Sequence, residues 1–132
     1  MKTLRLTVVT PHATVFDDAV DAVIAPLSDG WRGVLPGHAS FVARLLRGEI
    51  LFRVGDKERV IATIGGAISV DREGVTVLTG VAAVDCPLEN LERAISEESQ
   101  QLAALEREAE KHFDRVYRQM AHTFNHHRRR YS

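Results

Sequence analysis

With 132 residues, 45% hydrophobic and 27% charged, the chain has the make-up of one water-soluble domain, or of a compact domain of about 85 residues carrying an appendage. Its 17 basic and 18 acidic residues exclude a whole-chain bias toward nucleic acid or an anionic membrane, and the single cysteine, Cys86, excludes an internal disulfide framework and fits a reducing compartment. No apolar run approaches the roughly 20 residues that cross a bilayer, and the start MKTLRLTVV lacks the apolar core and cleavage site of a signal peptide, so membrane association is expected only through a partner.

From Thr3 to Gly80 the sequence reads as short strands. Apolar residues alternate with polar ones at Leu4, Leu6 and Val8, the period of two that buries one strand face. The alternation returns at Val20, Ala22, Ile24; Phe41, Ala43, Leu45; Ile50, Phe52, Val54; Val60, Ala62, Ile64; and Val75, Val77. Turn residues punctuate these runs at Asp29-Gly30, Pro36-Gly37, Gly48, Gly55-Asp56, Gly65-Gly66 and Glu73-Gly74. That rhythm predicts an all-β sandwich or barrel. A helix-crossover fold is disfavoured, because no long helical pattern lies between the strands.

The texture changes at Asp85-Cys86-Pro87, which predicts a β domain over 1–86 and a helical arm over 87–132. Leu88 to Arg130 contains neither Gly nor Pro. Leu88, Leu91, Ile95, Leu102, Leu105, Ala109, Phe113, Val116, Met120 and Phe124 recur at helical steps and form an apolar stripe. A domain this small cannot cover the whole stripe, so its far part needs another surface: the same helix folded back, or another chain. Charge along the arm is polarised, net −5 over residues 88–110 and +5 over 111–132, with four histidines in the second half. Matching of the helix dipole accounts for that pattern. So does a basic end that seeks an acidic partner surface, or attraction between the two halves in a hairpin.

Several groupings mimic active sites. His122 and His126 stand at i,i+4 with His127 beside them, but without an HExxH motif or a nearby carboxylate other than Asp114. Arg128, Arg129 and Arg130 have only Tyr131 as an aromatic neighbour, thin for nucleic acid. Gly65-Gly66 is followed by neither a helix nor a Lys-Ser/Thr pair, so it reads as a strand turn. Cys86 at the domain junction reads as packing. No triad or carboxylate pair emerges, so the chain is expected to be non-catalytic, with no cofactor and no metal.

The segment Ser28 to Phe41, SDGWRGVLPGHASF, carries the strongest signal. With Thr10-Pro11, Val15-Phe16-Asp17, Val23-Ile24-Ala25-Pro26, Gly33-Val34-Leu35-Pro36-Gly37-His38-Ala39, Gly48-Glu49, Gly65-Gly66 and Val75-Thr76-Val77-Leu78, it resembles the N-terminal domain of the epsilon subunit of rotary ATP synthases. The resemblance implies a β-sandwich of about ten strands at the foot of the central stalk, packed on the gamma subunit and touching the polar loops of the c ring. The complex would lie on the cytoplasmic face of the cell membrane, with this subunit held there peripherally. It also implies a partner-facing edge made by Pro36, Gly37, His38 and Ala39. Trp31 and Arg32, in the adjoining exposed-looking loop, are read as part of that edge, although a tryptophan there also suits a buried anchor, and His38 also suits a turn residue satisfied by backbone bonds.

The arm departs from the family's pattern. A two-helix hairpin with a polar loop is usual, yet no loop is evident here, and a single rod is favoured. Where many members carry Ile/Leu-Asp-x-x-Arg-Ala, linked to ATP binding, this chain has Glu89-Asn90-Leu91-Glu92-Arg93-Ala94, so nucleotide binding is not predicted. By resemblance the arm engages acidic levers of the catalytic β subunits and blocks ATP hydrolysis through Arg115, Arg118, Arg128, Arg129 and Arg130. The rival reading from another class is a free-standing adaptor that dimerises through a coiled-coil arm, against which Glu98 interrupts the apolar seam.

Overall fold

The computed structural model describes residues 2–131, with side chains described for residues 2–112 and for Arg115, Arg118 and Gln119. Ten strands precede one helix: β1 (Leu4–Val9), β2 (Thr14–Val20), β3 (Ala22–Leu27), β4 (Gly30–Val34), β5 (Phe41–Leu45), β6 (Gly48–Val54), β7 (Lys57–Thr63), β8 (Gly66–Val70), β9 (Gly74–Thr79), β10 (Ala82–Val84) and α1 (Leu88–Tyr131). The chain divides into two compact units, residues 1–93 and 94–132.

The first unit is a two-layer β-sandwich, as the alternation and turn spacing predict. The strands run β10-β7-β6-β3-β5-β8-β9-β1-β2, with β4 on the remaining edge of β3. β3 joins the layers, because Ala22–Ile24 pair with β6 while Leu27 pairs with Leu45 of β5. All pairings are antiparallel except β1 with β9. Leu6, Leu27, Leu45, Ile50, Ile61 and Ile68 fill the space between the layers and are fully buried. At the closing seam between β2 and β6, Phe16 and Phe52 lie 4.9 Å apart, and the Arg59 guanidinium sits over both rings.

Two expected alternations are corrected. Val20, Ala22 and Ile24 do not share a face: Val20 closes β2, the chain bends at Asp21, and Val23, Ala25 and Leu27 turn inward while Ile24 is 40% exposed. The bend is pinned by the Asp21 N–H donating to the Arg53 carbonyl (2.8 Å) and the Gly55 N–H donating to the Asp21 carboxylate (2.7 Å). In β7 the core residue is Ile61, flanked by half-buried Val60 and by Ala62, which is buried but lies outside the central core. Ala62 faces outward beside its cross-strand neighbour Glu49. Strands β2, β4, β8 and β10 are not announced as alternating runs of their own.

The start of the helix belongs to the sandwich unit. The Pro87 carbonyl accepts the Leu91 N–H (3.2 Å), so Pro87 caps the helix where its missing donor costs nothing. Glu49 reaches up from β6 to accept the Leu88 N–H (3.1 Å), putting a carboxylate at the positive end of the helix dipole and the first turn over the Glu49–Ala62 row. Arg47 pairs with Glu92 (3.7 Å), and Leu91 is buried. Asp85, at a left-handed φ of 55°, turns the chain into the helix and takes a two-pronged bond from Arg59 (3.0 and 2.8 Å). α1 then runs unbroken for 44 residues, a rod with no hairpin.

Candidate partner-binding edge

The β3–β4 hairpin and the turn after β4 build one end of the sandwich. Gly30, at φ 116°, closes the hairpin in a conformation that side chains rarely adopt. Leu35-Pro36-Gly37-His38 forms a β-turn in which the His38 N–H donates to the Leu35 carbonyl (3.1 Å) and Gly37 takes φ 81°. Pro in the second position and a left-handed Gly in the third are what a type II turn requires.

Side chains tie the two turns together. Arg32 donates from Nη2 to Asp29 Oδ2 (2.6 Å) and lays its guanidinium 4.7 Å from the centre of the Phe41 ring. His38 packs edge-on against the same ring, 5.4 Å between centroids. Its Nδ1 lies 2.7 Å from the Ala39 carbonyl, so Nδ1 carries a proton and donates it to that oxygen. Arg32 and His38 are thereby held by Phe41, which reaches the core from its other side. Beside this cluster Trp31 and Leu35 are each 62% exposed.

Of the six residues expected at the edge, Arg32, Pro36 and His38 are half-buried, and Trp31, Gly37 and Ala39 are exposed. Trp31 is therefore no core anchor. His38 meets its backbone partners as a turn residue does. Phe41 and Leu35 adjoin the candidate edge and are not singled out by the sequence, since Phe41 fits its strand alternation and nothing in the pattern shows Leu35 to be exposed; Asp29 belongs to the exposed-looking loop read around Trp31. Outward from β4 an apolar row continues across the layer, since Gly33 pairs with Ile24, Ile24 with Leu51, and Leu51 with Val60. A Cβ added at Gly33 would meet nothing within 4 Å, which leaves that row open at its β4 end.

On the arm, Arg115 and Arg118 are exposed and line one open face with Lys111 and Gln119. The side chains of Arg128, Arg129 and Arg130 lie outside the described residues, as do those of His122, His126 and His127. Arg93 is engaged by Glu89 (3.5 Å), one turn earlier on the helix. Among the described residues no group of three or more His, Cys, Asp or Glu could hold a metal ion, and no helix is long and apolar enough to cross a membrane.

This fold defines a class: a ten-stranded β-sandwich with a C-terminal helix and a rigid, partly apolar edge. Residues 3–84 match the family model described as the ATP synthase, Delta/Epsilon chain, beta-sandwich domain. The chain is 39% identical over 79 residues to the ATP synthase epsilon chain of Syntrophobacter fumaroxidans, covering 60% of this chain and 59% of that one. With the ATP synthase epsilon chain of Aliarcobacter butzleri it shares 40% identity over 78 residues, covering 59% and 62%. These matches thus span about three fifths of the relatives' own length. A chain in the Euglena gracilis mitochondrial ATP synthase structure (OSCP/F1/c-ring, rotational state 1) superimposes with a TM-score of 0.60 at 25% identity, over 72% of this chain and 62% of that one. A chain of the Tetrahymena thermophila mitochondrial ATP synthase central stalk/c-ring, at 11% identity and a TM-score of 0.52 over 62% and 66%, shares the fold. The chain belongs to the ATP synthase delta/epsilon family.

Proposed function

We propose that the chain is the epsilon subunit of a rotary ATP synthase, a non-catalytic element at the foot of the central stalk that clamps the gamma subunit to the c ring. It needs no cofactor of its own and is held peripherally at the cytoplasmic face of the membrane by the complex. The observation that carries the reading is the edge of the family's sandwich domain: exposed Trp31 and Leu35 beside an Arg32–Phe41–His38 cluster that fixes the chain on either side of them. An apolar anchor already fixed by neighbouring contacts loses little entropy when it docks. Pro36, Gly37, His38 and Ala39 extend the same edge toward the partner.

The mechanism follows from stiffness. A two-layer sandwich closed by cross-strand bonds stores little torsional energy, so torque entering at one partner leaves at the other without slip. The arm supplies the second role: its basic residues Arg115, Arg118, Arg128, Arg129 and Arg130 meet acidic levers on the catalytic β subunits and hold back ATP hydrolysis. Exposed charges of this kind act as a cluster that steers association and is screened by salt.

The test is assembly. Trp31→Ala is expected to leave the sandwich folded, because the residue is mostly exposed, and to weaken co-purification with the gamma subunit and c ring at least tenfold, on the scale of about 2 kcal/mol for an aromatic anchor. Unchanged co-purification refutes the assigned edge. Ending the chain after residue 95 is expected to raise ATPase activity of the assembled complex, and unchanged activity refutes the inhibitory arm.

A further inference from the structure

Strand β4 borders β3 on one side, and no strand lies along its other side. The direction of its backbone groups follows from Pro26, which stands opposite Trp31 and has no N–H to share with it. The Pro26 carbonyl accepts the Leu46 N–H (2.9 Å) and the Ser28 N–H donates to the Arg44 carbonyl (3.2 Å), so the even-numbered positions of β3 turn their backbone away from β4. Trp31 and Gly33, opposite Pro26 and Ile24, therefore form the non-hydrogen-bonded pairs of the hairpin and direct their own N–H and C=O groups outward, where nothing among the described residues receives them. Leu35 prolongs this edge: the following Pro36 favours an extended backbone, the Leu35 N–H is likewise free, and its side chain shares the outer face with Trp31 while Val34 between them is buried. The sheet's other ends are guarded, β2 by Asp17 and Asp18, and β10 by its length of 3 residues and the turn into Pro87. β4 has no such guard, since its one charge, Arg32, is held by Asp29 and Phe41 on the opposite face.

We propose that the free chain pairs through this edge with a second copy of itself, β4 against β4, antiparallel about a two-fold axis at Gly33. The strand is self-complementary in that register, as a closed two-fold pair requires. The two Gly33 residues exchange backbone bonds across the axis, and each Leu35 N–H meets the Trp31 carbonyl of the other copy, whereas the Leu35 carbonyl stays with the His38 N–H. Each Trp31 then faces the other copy's Leu35, so the apolar side chains left 62% exposed on this edge cover one another. The indole also reaches diagonally over the other copy's Gly33, where an added Cβ would meet nothing within 4 Å. Moving the axis to Arg32 sets guanidinium against guanidinium and leaves Leu35 uncovered, so charge and apolar cover select the same register. The outer faces of the two copies join, and the row Gly33–Ile24–Leu51 runs into its counterpart. The pairing stands on the strand edge alone and does not depend on the assembly reading; a stalk partner seated on Trp31 displaces it.

Sedimentation of the purified full chain tests it. At about 100 μM a dimer is expected, and raising salt to about 0.5 M is expected to change its dissociation constant less than about threefold, because the pairing is made by backbone and apolar groups. Trp31→Lys, which puts a guard charge on the edge, and Gly33→Pro, which removes the N–H at the axis, are each expected to weaken dimerisation at least about tenfold with the circular dichroism of the sandwich unchanged. In a Cys86→Ser background, oxidised Gly33→Cys is expected to give a cross-linked dimer, since its Cβ has open space and the Cα atoms of a hydrogen-bonded antiparallel pair lie about 5.5 Å apart. Arg32→Cys is expected not to cross-link, because position 32 faces position 34 of the other copy. A monomer at that concentration, a dimer lost in salt, a dimer indifferent to both edge variants, or cross-linking at position 32 in place of 33 each overturns the inference. A monomer that still binds the gamma subunit through Trp31 leaves the edge to a stalk partner and overturns self-pairing. Co-purification with the gamma subunit and c ring is read separately, so failure of either idea leaves the other standing.

Discussion

Leu91 separates a helix that merely follows the sandwich from one whose first turn is part of it. The side chain is 6% exposed, whereas Leu102 and Leu105, about three and four turns further on, are 57% and 67% exposed. Leu91→Ala removes buried methyl groups and leaves a gap at the edge of a packed unit, and core Leu→Ala changes cost about 2–5 kcal/mol. A site at the rim relaxes more than one at the centre, which puts the expected loss near the low end, about 2 kcal/mol. Helix propensity does not confuse the result, because Ala is at least as good a helix former as Leu. For a unit of this size 1 kcal/mol moves the midpoint by about 4–8 °C, so a fall of roughly 10 °C is expected. The signal should come from the sandwich itself: methyl resonances of Ile50, Ile61 and Ile68, all fully buried, followed through urea and thermal unfolding. Leu102→Ala and Leu105→Ala are expected to shift the same signals by less than about 0.5 kcal/mol. If Leu91→Ala leaves the core methyls unmoved, the first turns of α1 are not part of the cooperative unit, and the placement of residues 88–93 with the sandwich fails.

Three further outcomes are expected. The Arg59 guanidinium, hydrogen-bonded to Asp85, holds that carboxyl below its ordinary 3.8; the stabilisation is therefore present above about pH 4 and lost as the pH falls through the lowered value. Asp85→Asn, which keeps a residue tolerant of the left-handed φ, should destabilise the chain at pH 7 and converge with the parent in urea titrations as the pH falls through the lowered value. Gly74→Ala should unfold or strongly destabilise the sandwich, since an added Cβ would fall 2.1 Å from the Arg5 carbonyl oxygen across the β1–β9 pair; Gly33→Ala, with open space around it, should fold normally by circular dichroism. Phe41→Leu should cost about 1 kcal/mol in stability through lost ring contacts with Arg32 and His38, and should weaken partner binding more than it weakens the fold.

What the sequence conveyed was whatever is local. Leu4, Leu6 and Val8 face inward because period two is enforced by the pleat, and the turns at Asp29-Gly30 and Pro36-Gly37 stand where their φ requirements place them. The failures are long-range. Ile24 lost its expected burial because a bend at Asp21, fixed by Arg53 and Gly55 more than 30 positions away, shifts the phase. Ala62 is buried on the outer face because Glu49 holds the helix start above it, and a bond between residues 49 and 88 leaves no trace in periodicity. The candidate edge is expected at His38 through the resemblance and at Trp31 from its exposed-looking loop, and Trp31 is indeed exposed. Phe41, which fixes Arg32 and His38, was hidden by doing two jobs: its alternation marks it as core, and only the fold shows that its outer part carries the edge.

The two parts of the chain depend on different things for their form. The sandwich is complete in itself, with its core filled, no buried side-chain donor or acceptor left unpaired among the described residues, and its candidate docking edge held by internal contacts. The arm has backbone continuity and good helix formers, but past Ile95 its leucines meet no covering surface and its charges are separated along a rod that cannot fold on itself. A helix in that condition takes its packing from whatever it meets. A clamp that must hold in every rotational position is suited to the first kind of structure, and a brake that must engage and release is suited to the second. On the proposed function, the clamp falls to residues 1–93 and the brake to residues 94–132. That division requires that substitutions at the Trp31 edge alter coupling at every salt concentration, while those at Lys111, Arg115 and Arg118 act most strongly when salt is low.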